Sequence, residues 1–317
     1  MSMTADAGAI LPGRGGVFGA LSDLFWRKPK LLVFLMILPA VLWLGIVYVG
    51  SLLALLLQSF FSIDDFSGLI VHEFTLKTYA ELFRAQNLDI IIRTVAMATA
   101  VTIASAIVAF PIAYWAARYA RGHWKAVFYL GIMLPLWASY LVKIYAWKLI
   151  LAREGILNWI FEQLHITFLL DWWLALPVIG GNSLSISYTG TFLVFLYVWM
   201  PYMILPIQAA IERVPVNLLD ASADLGATPR QTFWKVIFPL ALPGIIAGSI
   251  FTFSLTLGDY IIPQIVGNSQ FFIGQAVYAH QGTAGNIPLA AAFTVVPILI
   301  MGFYLWGARH AGAFDAL

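Results

Sequence analysis

Asp259 stands out for its chemistry, because it lies in the run TLGDYIIP inside an otherwise uncharged apolar stretch. A charge within a bilayer costs at least about 2.5–3.5 kcal/mol on insertion scales, so such a residue marks a functional site whose partner must be named. Its neighbour Tyr260 supplies a ring face, and a carboxylate beside aromatic rings suits an ammonium group through charge pairing and cation–π attraction. A second set falls in another apolar stretch: Tyr140, Lys143 and Trp147 recur at i, i+3 and i+7 on one helical face, with Trp137 three residues before Tyr140. Lys143 can hold a carboxylate while Asp259 takes an amine. The competing reading is a structural Lys143–Asp259 salt bridge between helices, and the aromatic stripe alone also reads as helix packing. Lys148, nearer the end of the stretch, snorkels to the interface.

Other chemistry is poorly provided for. With Cys 0 there is no thiolate nucleophile, disulfide or cysteine metal site. His72, His123, His165, His280 and His310 are scattered without HExxH or paired ligand spacing, so no metal site is expected. There is no GxxxxGK[ST] phosphate loop, hence no expected site for ATP in this chain. No nucleophile–base arrangement stands out that would make it a membrane-embedded enzyme.

The elements that carry these residues follow from composition. Of 317 residues, 62% are hydrophobic and 10% charged, against about 25% charged in a soluble domain, which excludes a soluble enzyme. The 17 Lys+Arg against 15 Asp+Glu are too balanced for nucleic-acid binding. A bilayer core needs about 20 apolar residues per helix. Windows of that kind predict six membrane helices: Leu31–Leu57, Ile90–Ala117, Ala126–Leu151, Gly190–Ala210, Leu240–Val266 and Ile287–Ala308. Small residues in Ala96–Ala109 and prolines in or beside the windows, among them Pro111, Pro135, Pro201, Pro206, Pro243, Pro263 and Pro297, suit a packed polytopic bundle.

Orientation follows from the basic residues, which concentrate in short cytoplasmic loops. Arg14, Arg27, Lys28 and Lys30 precede the first window; Arg118, Arg121 and Lys125 fill the second gap; Arg213, Arg230 and Lys235 fill the fourth; Arg309 follows the last. The opposite loops hold Asp64, Asp65, Glu73, Glu81 and Asp89, or no charge at all between Gly267 and Asn286. Both termini are therefore expected in the cytoplasm. The expected division is a cytoplasmic segment 1–30, a first helix 31–57, an external loop 58–89, a helical region 90–308 and a tail 309–317. In the external loop after the third window, Gly155–Leu164 predicts an amphipathic interfacial helix, followed by Trp172 and Trp173; a docking surface for an external partner is the alternative.

The loop 212–239 inside the helical region is longer and more patterned than a simple connection. Pro215 opens and Gly226 ends a short helix, and Thr228 with Pro229 starts a second helix running to Pro239. Such a helical pair either packs on its own bundle or projects into a groove of another protein. Its residues resemble the signature of permease subunits in binding-protein-dependent ABC importers: Glu-Ala-Ala, three residues, Gly, nine residues, Ile-x-Leu-Pro. Here Asp220-Ala221-Ser222 is followed by Gly226 and then Val236-Ile237-Phe238-Pro239, in the same spacing. Asp replaces Glu, Ser the second Ala, Val the Ile and Phe the Leu.

Most of the chain is similar to the spermidine/putrescine permease group, including FLYVWMPYMILPIQAAIERVP before the loop, PLALPGIIAGSIFTFSLTLGDYIIPQIVGN after it and the closing GAFDAL. The resemblance implies an all-α, polytopic membrane helical bundle in the inner membrane, with 90–308 as its core domain and 31–57 as a peripheral first helix. It also implies a second permease subunit as heterodimeric partner, two copies of a cytoplasmic ATPase that would bind ATP and magnesium, and a periplasmic substrate-binding protein. Asp220, Ala221, Ser222, Gly226 and Pro239 would couple this chain to the ATPase, and Asp259, Tyr260, Trp137, Tyr140, Lys143 and Trp147 would line the substrate pathway. The implied substrates are putrescine, spermidine or 4-aminobutyrate, moved by alternating access; only the last needs the Lys143–Asp259 pair. The alternatives are an ABC import permease for another small solute and, in a different class, a self-sufficient secondary transporter or channel, which would tend to show inverted repeats not evident between the halves of this chain.

Overall fold

The apolar windows fold as helices because a bilayer offers backbone N–H and C=O groups no partner except one another. The structure, a computed structural model, describes residues 26, 28–64 and 66–310. Arg14, Arg27, Asp65 and the closing GAFDAL lie outside the described residues. The chain divides into two units, residues 1–57 and 58–317. In the first, α1 (Pro29–Gln58) is long and apolar enough to cross a membrane, and none of the side chains from Pro29 to Leu57 is buried. Pro39 removes a backbone donor within it, and a π-helical stretch, Trp43–Val49, follows one turn later.

The second unit opens with a minimal hairpin, β1 (Ser62–Ile63) antiparallel to β2 (Ile70–Val71). Asp64 organises its turn by accepting the N–H groups of Ser67 and Phe66, which holds its carboxyl below the usual range. After the short α2 (Lys77–Leu82), α3 (Ala85–Arg118) crosses the whole unit. It is followed by α4 (His123–Trp137), α5 (Tyr140–Ile150), α6 (Ile156–Gln163), α7 (Thr167–Leu174), α8 (Tyr188–Glu212) and α9 (Val216–Asp224). The unit closes with α10 (Pro229–Gly258), α11 (Ile261–Ile265), α12 (Ile273–Gln281) and α13 (Ile287–His310).

Five of these helices, α1, α3, α8, α10 and α13, are long and apolar enough to span unbroken, and α4 with α5 makes a sixth candidate bent by 98°. The third window is thus not one straight span. Pro135 has no N–H for the ladder, and Ala138 and Ser139 turn extended, ending α4 and starting α5 in a new direction. The fifth window is also broken: α10 stops at Gly258, and Asp259 takes an extended conformation (φ −75, ψ 133) before α11. Conversely, the second helix expected in the loop does not end at Pro239 but runs on as the beginning of α10. A π-helical turn at Phe233–Ile237 opens the ladder just where the Pro239 ring would meet the carbonyl of Lys235, so the chain stays helical. The amphipathic stretch after the third window does form α6, while α2 and α12 were not anticipated.

At the centre, α3, α8 and α10 pack on one another through small residues. Ala98, Ala109, Ala113 and Ala116 of α3 are buried. On α10 a Cβ at Gly244 would stand 2.5 Å from the Ala210 Cβ and 2.6 Å from the Pro206 carbonyl oxygen, and one at Gly248 would stand 2.8 Å from Met203 Sδ. Backbone approaches this close need small residues, since packing rather than a hydrophobic driving force joins helices in lipid. Buried hydroxyls return to their own helices, as Thr102 to the Ala98 carbonyl, Thr252 to Gly248 and Thr256 to Thr252.

Candidate functional site

One end of the bundle collects the basic residues and carries the patterned loop. Helix α9 begins after Pro215, which needs no N–H there, and ends in a left-handed Gly226 with φ +73. The Gly226 N–H donates to the Ala223 carbonyl at 2.8 Å and the Ala227 N–H to that of Ser222 at 3.1 Å, the paired closing bonds of a Schellman end. A Cβ at Gly226 would touch nothing, so conformation rather than space demands glycine here. Thr228 and Gln231 then form a capping box that starts α10. Ser222, which stands where the family pattern has Ala, shares a 2.8 Å hydrogen bond with the Thr232 hydroxyl and so ties α9 to α10.

The base of α9 is anchored from three helices. Arg118 Nη2 donates to the Val214 carbonyl at 3.0 Å, Lys125 pairs with Glu212 at 2.8 Å, and the Phe233 ring lies 5.5 Å from Phe110 and 6.3 Å from Tyr114. None of these contacts was foreseen, because each joins side chains distant in sequence. Nothing on α9 itself is buried: Asp220 and Ala221 are exposed, Leu218 is 45% exposed and Leu225, just beyond the helix, 88%. Pro239 is exposed as well. A rigidly based helix with bare apolar side chains has the properties of a docking element.

The second set of candidates separates on inspection. Asp259 sits at the break between α10 and α11, where its Oδ1 accepts the Ile261 N–H at 2.7 Å and the Ile262 N–H at 3.1 Å. Its Oδ2 accepts the Tyr140 hydroxyl. Lys143 does not pair with Asp259; its Nζ donates to the Pro135 carbonyl at 2.8 Å. That carbonyl belongs to the last turn of α4, whose acceptors the break leaves without helical partners. Each intramembrane charge therefore caps a broken helix with the sign its dipole favours, Lys143 a C-terminus and Asp259 an N-terminus.

Tyr140, Asp259 and Tyr260 line one cavity of about 440 Å³, together with Trp199, Ser254, Leu255, Gly258 and Ile261. Trp199 stacks on Tyr140 at 5.8 Å between ring centroids, and Tyr260 on Tyr278 at 5.1 Å. Trp199 was missed: it lies in a different window, and no spacing in the sequence connects it to Asp259. Trp147 does share a helix face with Tyr140, but it packs on Tyr197 at 5.1 Å and does not line this cavity. Trp137 ends α4, is 76% exposed and is carried off the stripe by the 98° bend. Arg93 pairs with Asp89 and donates to the Phe271 carbonyl at the end of the bundle away from α9.

Comparison with known proteins agrees with this layout. Residues 79–310 match the family described as binding-protein-dependent transport system inner membrane component. The chain is 57% identical over 306 residues to the inner membrane ABC transporter permease protein YdcU of Escherichia coli (strain K12), covering 96% of this chain and 97% of that protein. It is 28% identical over 273 residues to the spermidine/putrescine transport system permease protein PotB of the same organism, covering 85% and 94%. A chain in the crystal structure of a bacterial alginate ABC transporter, in complex with alginate pentasaccharide-bound periplasmic protein, has the same fold with a TM-score of 0.68 at 14% identity, covering 92% of this chain and 96% of that chain. The chain thus belongs to the binding-protein-dependent inner-membrane transport components, the non-catalytic permease subunits of ABC importers whose ATPase is a separate chain.

Proposed function

We propose that this permease imports a small amine, putrescine, spermidine or 4-aminobutyrate, from periplasm to cytoplasm by alternating access. It works beside a second, different permease subunit, two copies of a cytoplasmic ATPase that binds ATP and magnesium, and a periplasmic binding protein. The basic end with α9 faces the cytoplasm, both termini lie on that side, and α9 passes the closing movement of the ATPase pair into α8 and α10. The observation that carries this reading is the exposed helix Val216–Asp224, closed at Gly226 and anchored at its base through Arg118 and Glu212. The amine class is supported by the similarity to a permease named for spermidine and putrescine, and by an acid in an aromatic cavity.

Within this reading Asp259, Tyr140, Tyr260 and Trp199 form the wall that a cationic group passes. Lys143 holds the α4–α5 break, and Trp147 and Trp137 lie behind and beside the pathway. The test is uptake into proteoliposomes holding the assembled importer with its binding protein outside. ATP-dependent accumulation of one of these amines, abolished when the ATPase is inactivated, is expected; accumulation without the ATPase, or import of none of the three, overturns the proposal.

A further inference from the structure

At the end of the bundle away from α9, the segment between α5 and α8 encloses a second cavity, of about 250 Å³, which none of the candidate residues above touches. It lies slightly below the roughly 300–1,000 Å³ of pockets for drug-sized ligands, so its occupant is smaller. Its polar lining has both signs, Arg153 from the turn after α5 and Asp171 from α7, together with Asn158, Asn182 and Ser183. Among the described residues neither Arg153 nor Asp171 has a side-chain partner, and they do not pair with each other.

The backbone around this space is closely packed. A Cβ at Gly180 would lie 2.0 Å from the Leu174 carbonyl oxygen, one at Gly181 2.1 Å from that of Ile186, and one at Gly155 2.4 Å from that of Leu149. The Ser185 N–H donates to the Leu151 carbonyl at 3.1 Å, and buried Ser183 and Ser185 share a 2.9 Å hydrogen bond, which locks the 3₁₀ turn against the end of α5. Two exposed, unpaired side chains of opposite charge lining one small space are complementary to a ligand carrying an ammonium and a carboxylate on a short chain.

We propose that this cavity binds a small zwitterion, with Arg153 on its carboxylate and Asp171 on its ammonium group. It rests on the chain being an import permease but not on which amine is carried. The pocket would hold the solute at the mouth, separately from the Asp259 cavity.

The experiment is equilibrium binding of radiolabelled 4-aminobutyrate to the assembled importer in nanodiscs without its binding protein. Saturable binding is expected, weakened at least tenfold by Arg153→Gln and by Asp171→Asn, and not competed by butylamine or butyrate, which carry one charge each. The exchange R153D/D171R, which keeps both charges, restores binding and separates a lost contact from a misfolded loop. Absence of saturable binding, equal competition by putrescine, or binding that neither substitution changes overturns the proposal. So does an outcome in which the substitutions weaken only docking of the binding protein. Uptake of putrescine alone would change the assigned cargo and leave the pocket standing.

Discussion

The α9 loop and the Asp259 break are both junctions between helices, yet they are built in opposite ways. The first is closed by bonds between near neighbours: Gly226 to Ala223, Ala227 to Ser222, and Thr228 with Gln231. Its outer surface is left bare. The second is closed by a bond between residues 119 apart, Tyr140 and Asp259, and its polar atoms are turned inward. The turns of the first are closed locally and its base is held from α3 and α4, whereas the Tyr140–Asp259 bond fixes how α5, α10 and α11 stand together. In the proposed coupling, movement delivered at the first reaches the second through the close-packed α3, α8 and α10.

Breaking the second junction is expected to have the larger consequence. Asp259→Ala removes the acceptor of the Ile261 and Ile262 N–H groups and of Tyr140 together. Hydrogen bonds to charged groups contribute about 1.5–3 kcal/mol each, so uptake should fall at least tenfold, with a lowered melting temperature of the purified complex. Unchanged uptake kinetics would remove Asp259 from the pathway. Gly226→Val comes next, since a β-branched residue at positive φ costs roughly 1–2 kcal/mol and distorts the end of α9. Membrane insertion should persist while uptake and stimulated ATP hydrolysis are lost together; normal values of both would refute the coupling role.

Leu225→Lys sharpens the contrast, because the side chain is 88% exposed and contributes little to the fold. Thermal stability should stay within about 0.5 kcal/mol of the parent while affinity for the ATPase falls, as measured by co-purification. Tyr140→Phe removes one donor and keeps the ring stacked on Trp199, so a loss of about 1 kcal/mol in stability is expected, well short of Asp259→Ala. Smallest is Lys125→Gln at the base of α9. Its ion pair with Glu212 is partly exposed, so a double-mutant cycle should return about 1 kcal/mol or less and shrink further at high salt.

How far the sequence could be read follows the same division. Five windows were recovered as helices long enough to span and the third as a bent pair, and the limits of α9 at Pro215 and Gly226 and the Thr228 start of α10 were legible to the residue, because capping and left-handed glycine act over a turn or two. Pro135 and Pro239 were visible but their outcomes were not. One ends a helix beside an extended Ala138, and the other is absorbed by a π turn, a choice made by what packs around each. Asp259 and Lys143 stood out in the sequence as charges in apolar windows, yet hydropathy could not tell that each sits at a helix break, where a free backbone group of the matching sign awaits it.

By itself, then, the sequence determined that this chain crosses a membrane, roughly where, and through which loop it resembles import permeases. Those properties arise from apolar length, short-range capping and spacing along the chain. The tertiary structure alone decided that Trp199 joins Tyr140 and Asp259, that Lys143 turns to Pro135, that Trp137 leaves the stripe, and that Arg153 and Asp171 face one small space. Each of those depends on the angle at which two helices meet, and that angle is set by packing among many residues at once rather than by the spacing of any few.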